Sequence, residues 1–253
     1  MISRREVLTR VTAFGSAMLL LPRVAACRAH LDERGGFLDL AAARSIVYGN
    51  SPFVDRIDVD EIWLDLSTFS DYAQSAIDFL AAHIGPLDGV IVGFHRLTCE
   101  GAIALSQLRT EFIHLISLHQ LEADVASNLR WKPEEHPITT ITLKEPLSSA
   151  AADVLACDLQ GCQLHISVPS VGPSVARALS RHDHELFLDI REDQPCTAAA
   201  EALTMHAGYL LWLTLPSEPS SVLIRSLSSS ATKTCCLRKN KRHVWIDNKE
   251  PLS

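Results

Sequence analysis

The densest grouping of side chains able to do chemistry is His182-Asp183-His184-Glu185. Two imidazoles and two carboxylates in four residues are donors that a divalent metal accepts, and a metal-activated water there would make the chain a hydrolase centred on His182, His184 and Glu185. The spacing argues against it. Histidines at i and i+2 do not share a helical face, as the two imidazoles of H-E-x-x-H do. His83, His182 and His206 instead recur near the ends of helical-looking segments, where imidazole satisfies terminal carbonyls. No G-x-S-x-G elbow, phosphate loop or dinucleotide fingerprint is present, and no C-x-x-C pair supports a zinc ribbon or a thioredoxin-type site. The expectation is a chain that is not an enzyme, with no cofactor and no metal; an exported metal-dependent hydrolase is the alternative.

The elements that position these residues repeat. Short β-type triplets with apolar ends occur at Leu64-Asp65-Leu66, Val92-Gly93-Phe94, Ile116-Ser117-Leu118 and Ile141-Thr142-Leu143. They continue at Ile166-Ser167-Val168, Leu188-Asp189-Ile190 and Leu213-Thr214-Leu215, so that final residues recur every 22 to 28 positions. An Ala- and Leu-rich helical segment follows most of them, as in Val175-Ala176-Arg177-Ala178-Leu179. One strand-turn-helix unit cannot bury its apolar stripe alone, so neighbours must stack and share a core. The fold class expected is α/β, a solenoid with a short parallel sheet on one face and helices on the other.

Repeats of this length, with L-x-L followed by A-x-x-A-L-x-x-H, resemble leucine-rich repeats, in particular the degenerate arrays of planctomycete-type bacterial proteins. The Asn or Cys expected just after the triplet is missing, so the resemblance implies the stacked architecture without a buried asparagine ladder. At the start of the chain, Ser3-Arg4-Arg5-Glu6-Val7-Leu8-Thr9 resembles a twin-arginine signal, with Val7 and Thr9 departing from the pattern and the pair Arg4, Arg5 intact. The apolar run Val11 to Leu21 is shorter than the ~20 residues a spanning helix needs. Val24-Ala25-Ala26-Cys27 resembles a lipobox, which makes Cys27 a lipidation candidate. These resemblances imply export to a bacterial cell envelope or periplasm, with a cytoplasmic location as the alternative and no transmembrane helix.

The domain reading follows the period: a signal segment at 1–27, an N-terminal cap at 28–60, repeats at 61–227 and a flexible basic tail at 228–253 carrying Lys233, Arg238, Lys239, Lys241 and Arg242. Of seven cysteines, Cys99 and Cys196 lie four repeats apart, on the order of 19 Å at ~4.8 Å per strand, beyond the ~7 Å reach of a disulfide. Cys157 and Cys162 either pair across a helix end or stay as thiols.

Period-two alternation sends three columns outward from the sheet. The first is Trp63, Ile91, Leu115, Thr140, His165, Phe187 and Trp212; the second is Asp65, Gly93, Ser117, Thr142, Ser167, Asp189 and Thr214. After the triplets come Ser67, His95, His119, Lys144, Pro169, Arg191 and Pro216. Exposed aromatics and arginines anchor interfaces, so Trp63, His95, His119, Lys144, His165, Phe187, Arg191 and Trp212 are the candidate binding residues of a monomeric interaction or scaffolding module. Its partner would be a protein or peptide, an acidic one where the cations face it. A formal charge of -7 excludes nucleic acid held by phosphate neutralisation, and 47% hydrophobic content excludes a wholly disordered chain. A structural spacer with no ligand is the third reading.

Overall fold

The computed structural model describes residues 36–48, 54–55, 62–129, 138–228, 234–239 and 242–247, all within the compact unit Gly36–Ser253. Arg4, Arg5 and Cys27 lie outside the described residues. Eight helices and twelve strands are described. The strands Trp63–Leu66 (β3), Leu87–Val92 (β5), Thr110–Leu118 (β6), Ile138–Leu143 (β7), Gln163–Val168 (β8), Leu186–Ile190 (β9) and Leu211–Thr214 (β10) run parallel, each hydrogen-bonded to the next. Between them lie Gln74–His83 (α2), Cys99–Ser106 (α3), Ala123–Asn128 (α4), Ser149–Asp158 (α5), Pro173–Leu179 (α6) and Thr197–Leu203 (α7), with Ser221–Ser228 (α8) after β10. The chain is therefore an α/β protein with an open parallel sheet alternating with helices. Strand order follows sequence order without a reversal, and each helix packs on the next, so the helices form one layer.

Side-chain alternation explains the core. Leu64, Val90, Ile113, Thr139, Leu164, Leu186 and Leu211 stand in register across the seven strands, as do Leu66, Val92, Leu115, Ile141, Ile166, Leu188 and Leu213 two residues on, and all fourteen are buried. Small residues on the helices, such as Ala76, Ala102, Ala126, Ala151, Ala176 and Ala200, bring the second layer close against them.

Two expectations of register are corrected. The triplet that matches Leu64-Asp65-Leu66 on β5 is Val90-Ile91-Val92, and Val92-Gly93-Phe94 runs beyond the strand end. Leu115 belongs to the inward column, with no exposed surface. The cause is a bulge in β6: Leu115 pairs with Ile141 and Leu118 with Leu143, so β6 spends one extra residue between the two contacts. From β7 to β10 the expected register and the observed one coincide.

The ends of the sheet also differ from the sequence reading. Gly36–Leu38 (β1) pairs with Phe69–Tyr72 (β4) in a separate two-stranded sheet, and Leu40–Tyr48 (α1) packs on α2. Val54–Asp55 (β2) runs antiparallel to β3 at one edge of the large sheet. At the other edge the segment expected as a flexible tail supplies two strands. Thr234–Lys239 (β11) adds parallel to β10, and Arg242–Asp247 (β12) returns antiparallel to it. The basic residues drew the tail reading, whereas Val244-Trp245-Ile246 is β-type sequence.

Candidate functional site

Three side chains converge where the parallel strands end. His95 follows β5, His119 follows β6 and Lys144 follows β7. Past the strands the backbone stays hydrogen-bonded: His119 N–H donates to the His95 carbonyl at 2.8 Å, Glu145 N–H to the His119 carbonyl at 2.8 Å, and Lys144 N–H to the Leu118 carbonyl at 2.8 Å. The bulge in β6 makes this register available, because it absorbs the residue by which β5 and β6 differ. The His95 and His119 rings lie 5.0 Å apart between centroids, and Lys144 Nζ is 3.4 Å from His119 Nε2. His95 N–H is fixed from the other side by the Ser70 carbonyl at 2.8 Å.

This row is partly open to solvent, with Lys144 exposed and both imidazoles half-buried. The His95 imidazole is held below its ordinary pKa by loss of hydration, then by the neighbouring Lys144 and His119, with Asp71 acting in the opposite sense. Two of the three helix starts that follow are capped by side chains: Thr98 Oγ1 accepts from Gly101 N–H at 3.0 Å and Ser148 Oγ from Ala151 N–H at 3.1 Å, whereas α4 begins after Glu122 without such a bond. Pro169 interrupts the row. Beyond it Arg191 reaches back across β8, its guanidinium donating to the Leu143 carbonyl, while its own N–H donates to the Val168 carbonyl at 3.0 Å.

The outward aromatic column is built differently from the expectation. In register it reads Asp65, Ile91, His114, Thr140, His165, Phe187 and Trp212. Trp63 stands two residues earlier, opposite Gly89 and then Phe112. Its ring crosses Gly89 to stack on Phe112 at 5.7 Å, with His114 also at 5.7 Å. A Cβ on Gly89 would lie 2.2 Å from that ring, so only glycine admits it. His165 stacks on Phe187 at 4.0 Å with planes 4° apart, and Phe187 lies 6.0 Å from Trp212. Trp212 is only 6% exposed, and Trp63 and Phe187 are half-buried. They are packed against neighbours and are not rim anchors held out to a partner. Burial pushes His114 down to about 4 and His165 down to about 3, so both are neutral rings of this stack. Sequence reasoning missed His114 and Phe112 because the β6 triplet was placed out of phase, and it put Trp63 where Asp65 stands because β3 was; Ile91 on β5 keeps its expected column. Alternation of Phe112, His114 and Ile116 against Ile113 and Leu115 was the available signal.

His182, His184 and Glu185 are adjacent in sequence and are directed to different partners. A carbonyl can only accept, so His182 Nε2 donates to the Cys162 carbonyl at 3.0 Å, and His206 Nε2 donates likewise to the His184 carbonyl at 3.1 Å. The His184 ring meets Tyr209 edge-on at 5.1 Å, and the Glu185 carboxylate accepts from the Gln163 amide. Among the described residues no group of three or more His, Cys, Asp or Glu side chains is arranged to hold a metal ion. Cys99, Cys157, Cys162 and Cys196 are thiols; burial pushes the Cys162 thiol up to about 12.

No helix among the described residues is long and apolar enough to cross a membrane. No protein-family model matches the chain, and no curated protein matches it.

Proposed function

We propose that the chain is a leucine-rich-repeat-like solenoid that works as a non-catalytic protein-binding module, exported to a bacterial cell envelope behind its twin-arginine-like segment. The ligand is an acidic protein or peptide, and it docks along the strand-end edge. One observation carries this reading: His95, His119 and Lys144 stand side by side on successive repeats, partly open to solvent, in a chain whose formal charge is -7. An ammonium beside two imidazoles on an otherwise acidic molecule selects partners by charge complementarity. A strip carried by rigid strands also costs little ordering on binding. The packed aromatic column is support for the edge and leaves the strand-end cations as the recognition elements.

The test is fluorescence anisotropy with a labelled glutamate-rich peptide, a glutamine-rich peptide of the same length as control, and the triple variant His95→Gln, His119→Gln, Lys144→Gln. The expected result is binding of the acidic peptide that weakens with added salt and falls at least tenfold in the triple variant. Equal binding of both peptides, or no loss in the variant, moves the assignment to a spacer without a ligand.

A further inference from the structure

The strand-end row is more compact than an extended acidic peptide requires. Two imidazole centroids 5.0 Å apart and an ammonium 3.4 Å from one of them can all reach a single anion. Carboxylates at alternate positions of an extended peptide lie ~7 Å apart, wider than the spacing of this row. Arg191, the next cation along the edge, is engaged with the Leu143 carbonyl and stands beyond Pro169. Lys144 donates to His119 only while that Nε2 carries no proton; a proton there sets two cations against each other. An anion carrying two charges removes the conflict, because it gives the ammonium and both imidazolium groups a common acceptor. The charged groups around the pair are Lys144 and Asp71, which act on His95 in opposite senses, and the exposed Arg96 and Glu145, which follow His95 and Lys144.

We infer that His95, His119 and Lys144 form a receptor for one compact dianion of the phosphoryl class, carried by the protein partner, and that binding draws protons onto the imidazoles. This rests on the reading of the strand-end row as the recognition surface. It adds the chemical class of the group recognised and makes the interaction tighten as pH falls through the imidazole range.

Sulfate is the probe of choice, because it keeps both charges across that range and so reports the protein's protons alone. Titration of the full chain is followed by the histidine side-chain signals in NMR and by calorimetry in two buffers of different ionisation enthalpy. Affinity at about pH 6 is expected to exceed that at about pH 8 by roughly tenfold or more, with net proton uptake. His119→Gln and Lys144→Gln abolish the effect, Lys144→Arg retains it, and Arg225→Gln on α8 is the unchanged control. A peptide bearing phosphoserine should then bind at least tenfold more tightly than its unphosphorylated form. Sulfate affinity independent of pH, or retained in His119→Gln and Lys144→Gln, overturns the inference. If the glutamate-rich peptide binds through the row while sulfate does not, the dianion receptor fails and the acidic-partner reading survives. If sulfate binds as expected and neither peptide does, the protein-recognition reading fails and the receptor survives.

Discussion

Thr139 occupies an inward position on β7, in register with Ile113 on β6 and Leu164 on β8, and has no exposed surface. Its hydroxyl has no hydrogen-bond partner among the described residues. Burying an unsatisfied hydroxyl costs about 1–3 kcal/mol, while the same position in the neighbouring strands is aliphatic. Thr139→Val keeps the shape and removes the polar atom, so it should raise stability by about 1 kcal/mol, read as a higher urea midpoint with an unchanged slope. A loss of similar size would mean that the hydroxyl has a role the packing does not reveal. Asp65 and Ser167 show how other polar residues of the sheet are kept: Asp65 Oδ1 accepts from Ser67 N–H at 2.8 Å, and Ser167 Oγ donates to Asp189 Oδ2 at 2.9 Å across neighbouring strands.

Helix starts follow one backbone pattern with different side chains. Thr98 and Ser148 precede α3 and α5 in extended conformation and accept a hydrogen bond from the third residue on, whereas Cys196 precedes α7 with the same geometry (φ -65, ψ 165) and no side-chain bond. Ser148→Ala should therefore cost about 1 kcal/mol, and Cys196→Asp, at an exposed position, should gain a comparable amount. Opposite signs in the two urea midpoints check the argument; equal shifts would refute it. The same scale explains what the sequence disclosed. The seven parallel strands β3 and β5 to β10 and most helices were legible, because Leu-x-Leu triplets and Ala-rich segments alternate with nearly constant spacing. The phase of β3 against β5, and that of β6, was not. Val90 to Phe94 holds five residues, all apolar or glycine, which fit two registers equally, and a bulge leaves no mark in Leu115-Ile116-Ser117-Leu118. The His95, His119 and Lys144 positions were nonetheless legible as one column, since the bulge restores at the strand end the register that it breaks within the strand. The burial of Trp212 was hidden, because it depends on contacts that an alternating pattern does not encode.

At the scale of the whole molecule the imidazoles couple the fold to pH. His182 and His206 occupy the turn between helix and strand in successive repeats, their rings 6.5 Å apart and 19° from parallel, each donating to a carbonyl of the preceding repeat. They do for this array what a buried amide ladder does in others, tying one turn to the next. Burial lowers the pKa of His182, and it holds His206 and His114 down at about 4 and His165 at about 3. A histidine that is neutral in the fold and has an unfolded pKa near 6.5 contributes its stability above that value. As pH falls below about 6.5 the unfolded chain takes up protons that the folded chain refuses, and stability declines until the folded pKa is passed. For His114, His165 and His206 this amounts to about 2 kcal/mol each at pH 5, a large share of the ~5–15 kcal/mol that holds a domain folded. The urea midpoint should thus fall steeply between about pH 7 and pH 5, and His206→Gln should reduce the slope by about one proton per molecule. A midpoint that stays level over this interval would show that these imidazoles are hydrated in solution and that the stacks described above do not persist.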